Sequence, residues 1–146
     1  MPARILIADD DPDIRLLLRA ELEPLYRVIE ARDGREAWKL IQEKRPVLIV
    51  TDLGMPGIDG LELTKLVKTS EDEELAGTPV VILTGATVSD ALPSGFWLKG
   101  TNADMFFEKP FDPATLRAGL DRLIKRRMNW KELPPGQGFY EGEQPV

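Results

Sequence analysis

RILIADD, residues 4–10, is a short apolar run that ends on two carboxylates, and its arrangement decides how the rest of the chain is read. The arrangement recurs in VLIVTD (47–52), VVILT (80–84) and MFFEK (105–109). A continuous apolar run of this length suits a strand buried on both faces. Each run closes on polar side chains: Asp9 and Asp10, Asp52, Thr84 and Lys109. In an open parallel sheet the carboxyl ends of the strands face one crevice, and ligands bind there. If the four runs belong to one sheet, three carboxylates, a hydroxyl and an amine converge. Such a set suits a divalent cation and a phosphoryl group.

Helical patterns fill the intervals. Asp11-Pro12 reads as an N-cap followed by proline at the first helical position, with Ile14, Leu17, Leu18, Leu22 and Leu25 at helical spacing. Tyr26–Ala31 reads as a second strand. Asp33-Gly34 opens a helix over Arg35–Lys44 that turns Ala37, Leu40 and Ile41 inward, and Arg45-Pro46 ends it. Strands follow at Val47–Thr51, Pro79–Leu83 and Met105–Phe107. After the loop Leu53–Asp59 comes a helix with Leu63, Leu66 and Val67 as its buried stripe. Ser70–Gly77 reads as an acidic connection. Asp112-Pro113 opens a last helix with Leu116, Leu120, Leu123 and Ile124 inward. This alternation predicts an α/β doubly wound domain. From Met128 the register changes to a turn-rich stretch, so residues 128–146 read as a C-terminal tail or linker without a domain of its own, with Trp130, Phe139 and Tyr140 able to dock it on the body.

Composition narrows the function. A net charge of −6 supplies no basic field for nucleic acid or an anionic membrane surface. Cysteine is absent, which removes disulfides, thiolate metal sites and thiol nucleophiles. Histidine is absent too, which removes Ser-His triads, His-ligated metals and a phosphohistidine on this chain. No run approaches the ~20 apolar residues of a membrane span, and the N-terminal apolar stretch is too short for a signal peptide, so the expected location is cytoplasmic.

Five segments together, ILIADDDPDIRLLL, DGREAW, TDLGMPGIDGLEL, PVVILTGA and ADMFFEKPF, resemble the receiver domains of two-component response regulators. The resemblance runs from Arg4 to Arg127, and the segment with Asp52, Met55-Pro56, Asp59 and Gly60 is its most specific part. It implies a receiver domain over residues 1–127 with the flavodoxin-like fold: a five-stranded parallel sheet in order 2-1-3-4-5, helices on both faces, as the right-handed crossover rule also favours.

The resemblance assigns roles residue by residue. Asp52 is the implied phosphoacceptor, a carboxylate that attacks phosphorus to give an acyl phosphate. Asp10 and Asp52 are implied direct ligands of Mg²⁺ or Mn²⁺, with Asp9 acting mainly through a water and the Gly54 carbonyl completing the protein ligands. The residues agree: three neighbouring carboxylates need a cation, and Asp11 suffices for the helix cap. Lys109 is implied to pair with Asp52 at rest and with a phosphoryl oxygen afterwards, Thr84 to bond that oxygen, and Phe106 to be the aromatic switch. Lys109-Pro110 is implied to be cis. The donor is a phosphohistidine on a sensor histidine kinase or phosphotransfer protein; the output is a switched protein–protein face, with a homodimer compatible with it. The chain is not expected to be an enzyme, nor to bind nucleic acid or membrane directly.

Departures from the family pattern concentrate in one region. The interval between Thr84 and Lys109 is long and carries Pro93, Gly95 and Gly100, so its helix is expected to be short, broken or shifted, with Phe96 and Trp97 as candidate anchors for a partner. The expected output surface comprises Val88–Gly100, the strand with Phe106 and the helix Pro113–Arg127. Gly85 stands where the family has alanine, and neither Gly54 nor Ala86 has a polar side chain to orient water. Three other readings compete. A phosphate-independent module of the same fold has no need of the full acidic set. An aspartate-nucleophile phosphohydrolase of the haloacid dehalogenase type needs a further acidic pair after Lys109, where only Asp112 stands, in a capping context. A DNA-binding regulator needs a basic helical module, which this chain lacks.

Overall fold

Alternate residues of β1 (Arg4–Ala8) enter two different cores. Ile5 and Ile7 pack with Leu18, Leu22, Leu116 and Leu120, whereas Leu6 and Ala8 pack with Ala37, Ile41, Leu63 and Val67. The period of two along a strand allows this only if both faces are covered. The structure, a computed structural model, describes residues 3–85 and 102–132.

The other strands are β2 (Arg27–Ala31), β3 (Leu48–Asp52), β4 (Val80–Thr84) and β5 (Met105–Glu108). All pairings are parallel, in the order β2-β1-β3-β4-β5, as expected from the sequence. Every residue of β3 and β4 is buried, and the edge strands β2 and β5 are more open. Both β3 and β4 run one residue further than the apolar pattern suggests, so Asp52 and Thr84 are ladder residues with fixed backbone. Helices α1 (Pro12–Leu22) and α5 (Pro113–Glu132) cover one face; α2 (Gly34–Lys44) and α3 (Gly60–Lys68) cover the other.

Aspartates begin the helices. Asp11, Asp33 and Asp59 each cap α1, α2 and α3 by accepting a backbone N–H in the first turn, and Asp112 accepts both the N–H and the hydroxyl of Thr115. Such a cap contributes about 1 kcal/mol. The acidic connection contains an unexpected single turn, α4 (Glu73–Ala76), capped by Asp72. Arg45 ends α2 in a left-handed conformation, φ 49°, and Pro46 prevents continuation.

Not every apolar residue faces inward. Leu17 and Leu25 share the helical spacing of the first helix's apolar residues, yet they are 41% and 51% exposed, beside Leu16 at 67%. The line Ile14–Leu18–Leu22 seats α1 on the sheet; Leu17 is turned about 100° from Leu18, and Leu25 lies beyond the end of the helix. The last helix continues past Arg127 to Glu132, beyond the expected change of register at Met128. Val88–Gly100, with Phe96 and Trp97, lies outside the described residues, as do Ala86, Phe139, Tyr140 and the side chain of Trp130. Among the described residues no helix is long and apolar enough to cross a membrane.

Candidate functional site

Strand ends deliver the polar residues to one edge. Asp9 follows β1 directly; its N–H donates to the Ala31 carbonyl of β2 at 3.1 Å, and its side chain is fully buried. Asp52 closes β3 and is buried between β1 and β4. Lys109 follows β5, and its N–H donates to the Thr84 carbonyl at 2.7 Å, which holds it beside the end of β4. Thr84 itself is buried. The Lys109-Pro110 bond is cis, as the family resemblance implied.

One ammonium serves two carboxylates. Lys109 Nζ donates to Asp9 Oδ2 at 3.0 Å and to Asp52 Oδ1 at 3.1 Å. The pairing with Asp52 was expected; the bond to Asp9 is additional. The other oxygen of Asp9, Oδ1, accepts the Asp11 N–H at 2.9 Å. Both oxygens of Asp9 are thus engaged, whereas Asp10 is exposed and makes no hydrogen bond among the described residues. Carboxylate oxygens of Asp9, Asp10 and Asp52 lie within 4.8 Å of one another. That donor set fits a hard divalent cation, which takes oxygen ligands and few carboxylates. The engaged oxygens make Asp9 the least available of the three for direct contact.

The electrostatics follow from burial and imbalance. Burial raises the Asp9 carboxyl above its ordinary range, with a smaller push from Asp10 against the pull of the Asp11 N–H and Lys109. Burial also raises Asp52, reinforced by the charge of Asp9 and opposed by Lys109. For Lys109, burial works to lower the ammonium, but the hydrogen bonds to Asp9 and Asp52 outweigh it and the net direction is up. Two buried carboxylates and an exposed third face one lysine, so an added cation is electrostatically favoured.

The loop after β3 is held close. Gly60 N–H donates to the Leu53 carbonyl at 2.8 Å, and a Cβ at Gly60 would stand 2.4 Å from the Asp52 carbonyl oxygen. Only glycine permits that approach. Gly57 turns the loop at φ 80°, and Gly54 is exposed, with open space beside its Cα. Phe106, half-buried, packs on the core shared by α2 and α3.

Two residues at the site went unremarked in the sequence. Arg15 donates through an Nη to the Asp9 carbonyl at 2.7 Å and through Nε to Glu30 Oε1 at 2.9 Å. The signal available was Glu30 itself, a charge inside the edge strand RVIEA.

Comparison with known proteins agrees with this geometry. The family profile described as "Response regulator receiver domain" matches residues 5–121. The chain is 34% identical over 128 residues to response regulator Rre1 of a Synechocystis species, covering 86% of this chain and 53% of that protein. It is 36% identical over 133 residues to response regulator GtcR of Aneurinibacillus migulanus, covering 90% and 52%. The chain therefore spans about half the length of the curated relatives it matches. Among solved structures, the receiver domain of AraT from Geobacillus stearothermophilus superimposes with a TM-score of 0.75 at 29% identity, covering 90% of this chain and 99% of that one. The chemotaxis response regulator CheY4 of Vibrio cholerae gives 0.72 at 31%, covering 84% and 99%.

Proposed function

The chain belongs to the receiver domain family of response regulators, and on that premise we propose that Asp52 is the phosphoacceptor of a two-component signalling system. The observation that carries this reading is the half-buried Lys109 shared between the buried Asp9 and Asp52, with the Asp10 carboxylate close by. A structural ion pair needs one acid for one base; this cluster has acids in surplus.

In the proposed reaction an oxygen of Asp52 bonds to phosphorus while the phosphorus–nitrogen bond of an external phosphohistidine breaks, its electron pair leaving with the imidazole nitrogen. The donor is a sensor histidine kinase or a phosphotransfer protein. Mg²⁺ or Mn²⁺, when bound, would supply charge neutralisation for the carboxylates and the phosphoryl group. Asp10, Asp52 and the Gly54 carbonyl would hold the cation, and Asp9, whose own oxygens are engaged, would act through a water. Lys109 exchanges its bond to Asp52 for a phosphoryl oxygen, as a compact point charge suited to that task. Thr84 donates its hydroxyl to another phosphoryl oxygen. Phe106, on the strand next to Thr84, registers the change and alters a face read by a downstream protein partner, at a cytoplasmic location.

Receiver domains are signalling domains, and the phosphohydrolase alternative finds no support. Asp112, the one acid that follows Lys109 closely, is used as a helix cap. The test is mass spectrometry of the intact chain after incubation with a small phosphodonor and Mg²⁺. Wild type gains one phosphoryl group and Asp52→Asn gains none. Unchanged phosphorylation of Asp52→Asn at another residue overturns the assignment.

A further inference from the structure

We infer that Arg15, anchored by Glu30, is a positioning residue for the divalent-cation site, fixing the peptide that joins Asp9 to Asp10. The inference rests on the reading of the acidic cluster as a cation site and names what orients its exposed ligand.

Asp9 is held on every side. Its N–H bonds the Ala31 carbonyl at 3.1 Å, its carboxylate bonds the Asp11 N–H and Lys109, and its carbonyl accepts Arg15 at 2.7 Å. That carbonyl belongs to the planar unit running from Asp9 Cα to Asp10 Cα, whose atoms move together. Holding Asp9 Cα and the carbonyl oxygen thus sets where Asp10 Cα stands, the point from which its side chain departs. Asp10 has no hydrogen bond of its own among the described residues, so its placement comes through its two flanking peptides, one held by Arg15 at the Asp9 carbonyl and the other by the Asp11 N–H on the Asp9 carboxylate.

The arginine is itself oriented. Its Nε bonds Glu30 Oε1 at 2.9 Å, and Arg15 is only 14% exposed. Glu30 sits in β2 opposite Ile7 in the ladder and also holds Arg19, so the anchor is part of the sheet. A guanidinium is a rigid fork: one arm on Glu30 fixes the direction of the other. That other arm reaches the peptide at which the acidic pair begins. Partners outside the ligand shell commonly change metal affinity by about 10–100-fold when removed.

The test uses the whole chain with Mg²⁺ as the probe. Arg15→Met keeps the stem and removes the donors, Arg15→Lys keeps one donor, and Glu30→Gln weakens the anchor. Mg²⁺ dissociation constants are measured from amide shifts at Asp10 and Asp52 and by calorimetry, and phosphorylation from acetyl phosphate is followed across Mg²⁺ concentrations. Arg15→Met is expected to weaken Mg²⁺ binding about tenfold, with the rate at saturating Mg²⁺ close to wild type. Arg15→Lys recovers most of the affinity, and Glu30→Gln loses part of it. If Arg15→Met does not fold, the other two variants carry the same criterion. Unchanged Mg²⁺ affinity in the folded variants overturns the inference and leaves the cation site standing. So does a rate loss that saturating Mg²⁺ does not repair, which would put Arg15 elsewhere than in positioning. A wild-type chain that binds no Mg²⁺ overturns the cation site and this inference together.

Discussion

The two edges of the sheet carry similar charges arranged to opposite ends. At the amino edge, Lys68 bonds Asp104 at 2.8 Å and the Thr78 carbonyl at 3.0 Å. Arg45 spans Asp72 and Glu74, and Arg127 donates to the carbonyls of Gly77 and Glu74. Cations there meet carboxylates or helix-end carbonyls, and the bonds tie α2, α3, α4 and α5 to the strands. At the carboxyl edge one ammonium faces three acids, two of them buried. Matched charge serves architecture; buried, unmatched charge costs stability until a ligand arrives.

The largest effect expected is from Lys109→Met. It leaves Asp9 and Asp52 buried without their cation, and breaking such a pair costs about 3–5 kcal/mol. Denaturant unfolding should show this loss at neutral pH, with part of it recovered by Mg²⁺. A loss indifferent to Mg²⁺ would make the carboxyl edge an ordinary structural pair.

Asp104→Ala is the counterpart at the amino edge. It strips a partner from the buried Val80 N–H, now bonded at 2.8 Å, and from Lys68. An orphaned buried donor costs about 1–3 kcal/mol. Unfolding curves with and without Mg²⁺ should shift equally, because nothing at this edge awaits a cation.

Asp52→Asn should act in the opposite direction. Burial raises the Asp52 carboxyl in the folded state, so folding favours its protonated form. The stability linked to that form is complete below the unfolded carboxyl's ordinary range and is lost as pH rises through the raised folded value. Removing the charge should therefore raise the thermal midpoint at neutral pH, by roughly 2–4 °C if the gain is near 1 kcal/mol. The gain should vanish in acid. A lowered midpoint at neutral pH would mean that the bond to Lys109 outweighs the burial of the charge.

The smallest effect is expected from Tyr26→Phe, again at the amino edge. The Tyr26 hydroxyl bonds the Asp121 carboxylate, and burial followed by that carboxylate pushes the phenol well above its usual range. One such bond contributes about 0.5–1.5 kcal/mol. In wild type this contribution is present below the ordinary phenol range and is lost as pH climbs through the raised folded value. Urea midpoints of the two chains should converge in strong alkali; a constant gap would show that the hydroxyl contributes by packing alone.

What could be read without the structure follows from local physics. Strand runs, aspartate caps and the Asp33-Gly34 and Asp112-Pro113 starts are written within a few neighbouring residues, so the element order was legible; the sheet order came from the family resemblance and the crossover rule. The main cluster was legible too, because strand ends in a parallel sheet share one edge wherever they fall in the chain. The exposure of Leu17 and Leu25 was not legible, because apolar spacing does not say which side of a helix meets the sheet. The turn α4 escaped notice because its four residues are too few to show a period.

By itself the sequence determined the strands, the caps and the acids, lysine and threonine that end four of those strands, since hydrophobic periodicity and capping act over a few residues. Tertiary structure alone decided how they are joined. Lys109 adds a bond to Asp9 to its expected one to Asp52, Arg15 reaches back to the Asp9 carbonyl, Glu30 anchors it from another strand, and Arg127 closes on α4. Each bond depends on the rotation and seating of whole elements on the sheet, and those are set by packing between residues far apart in the chain.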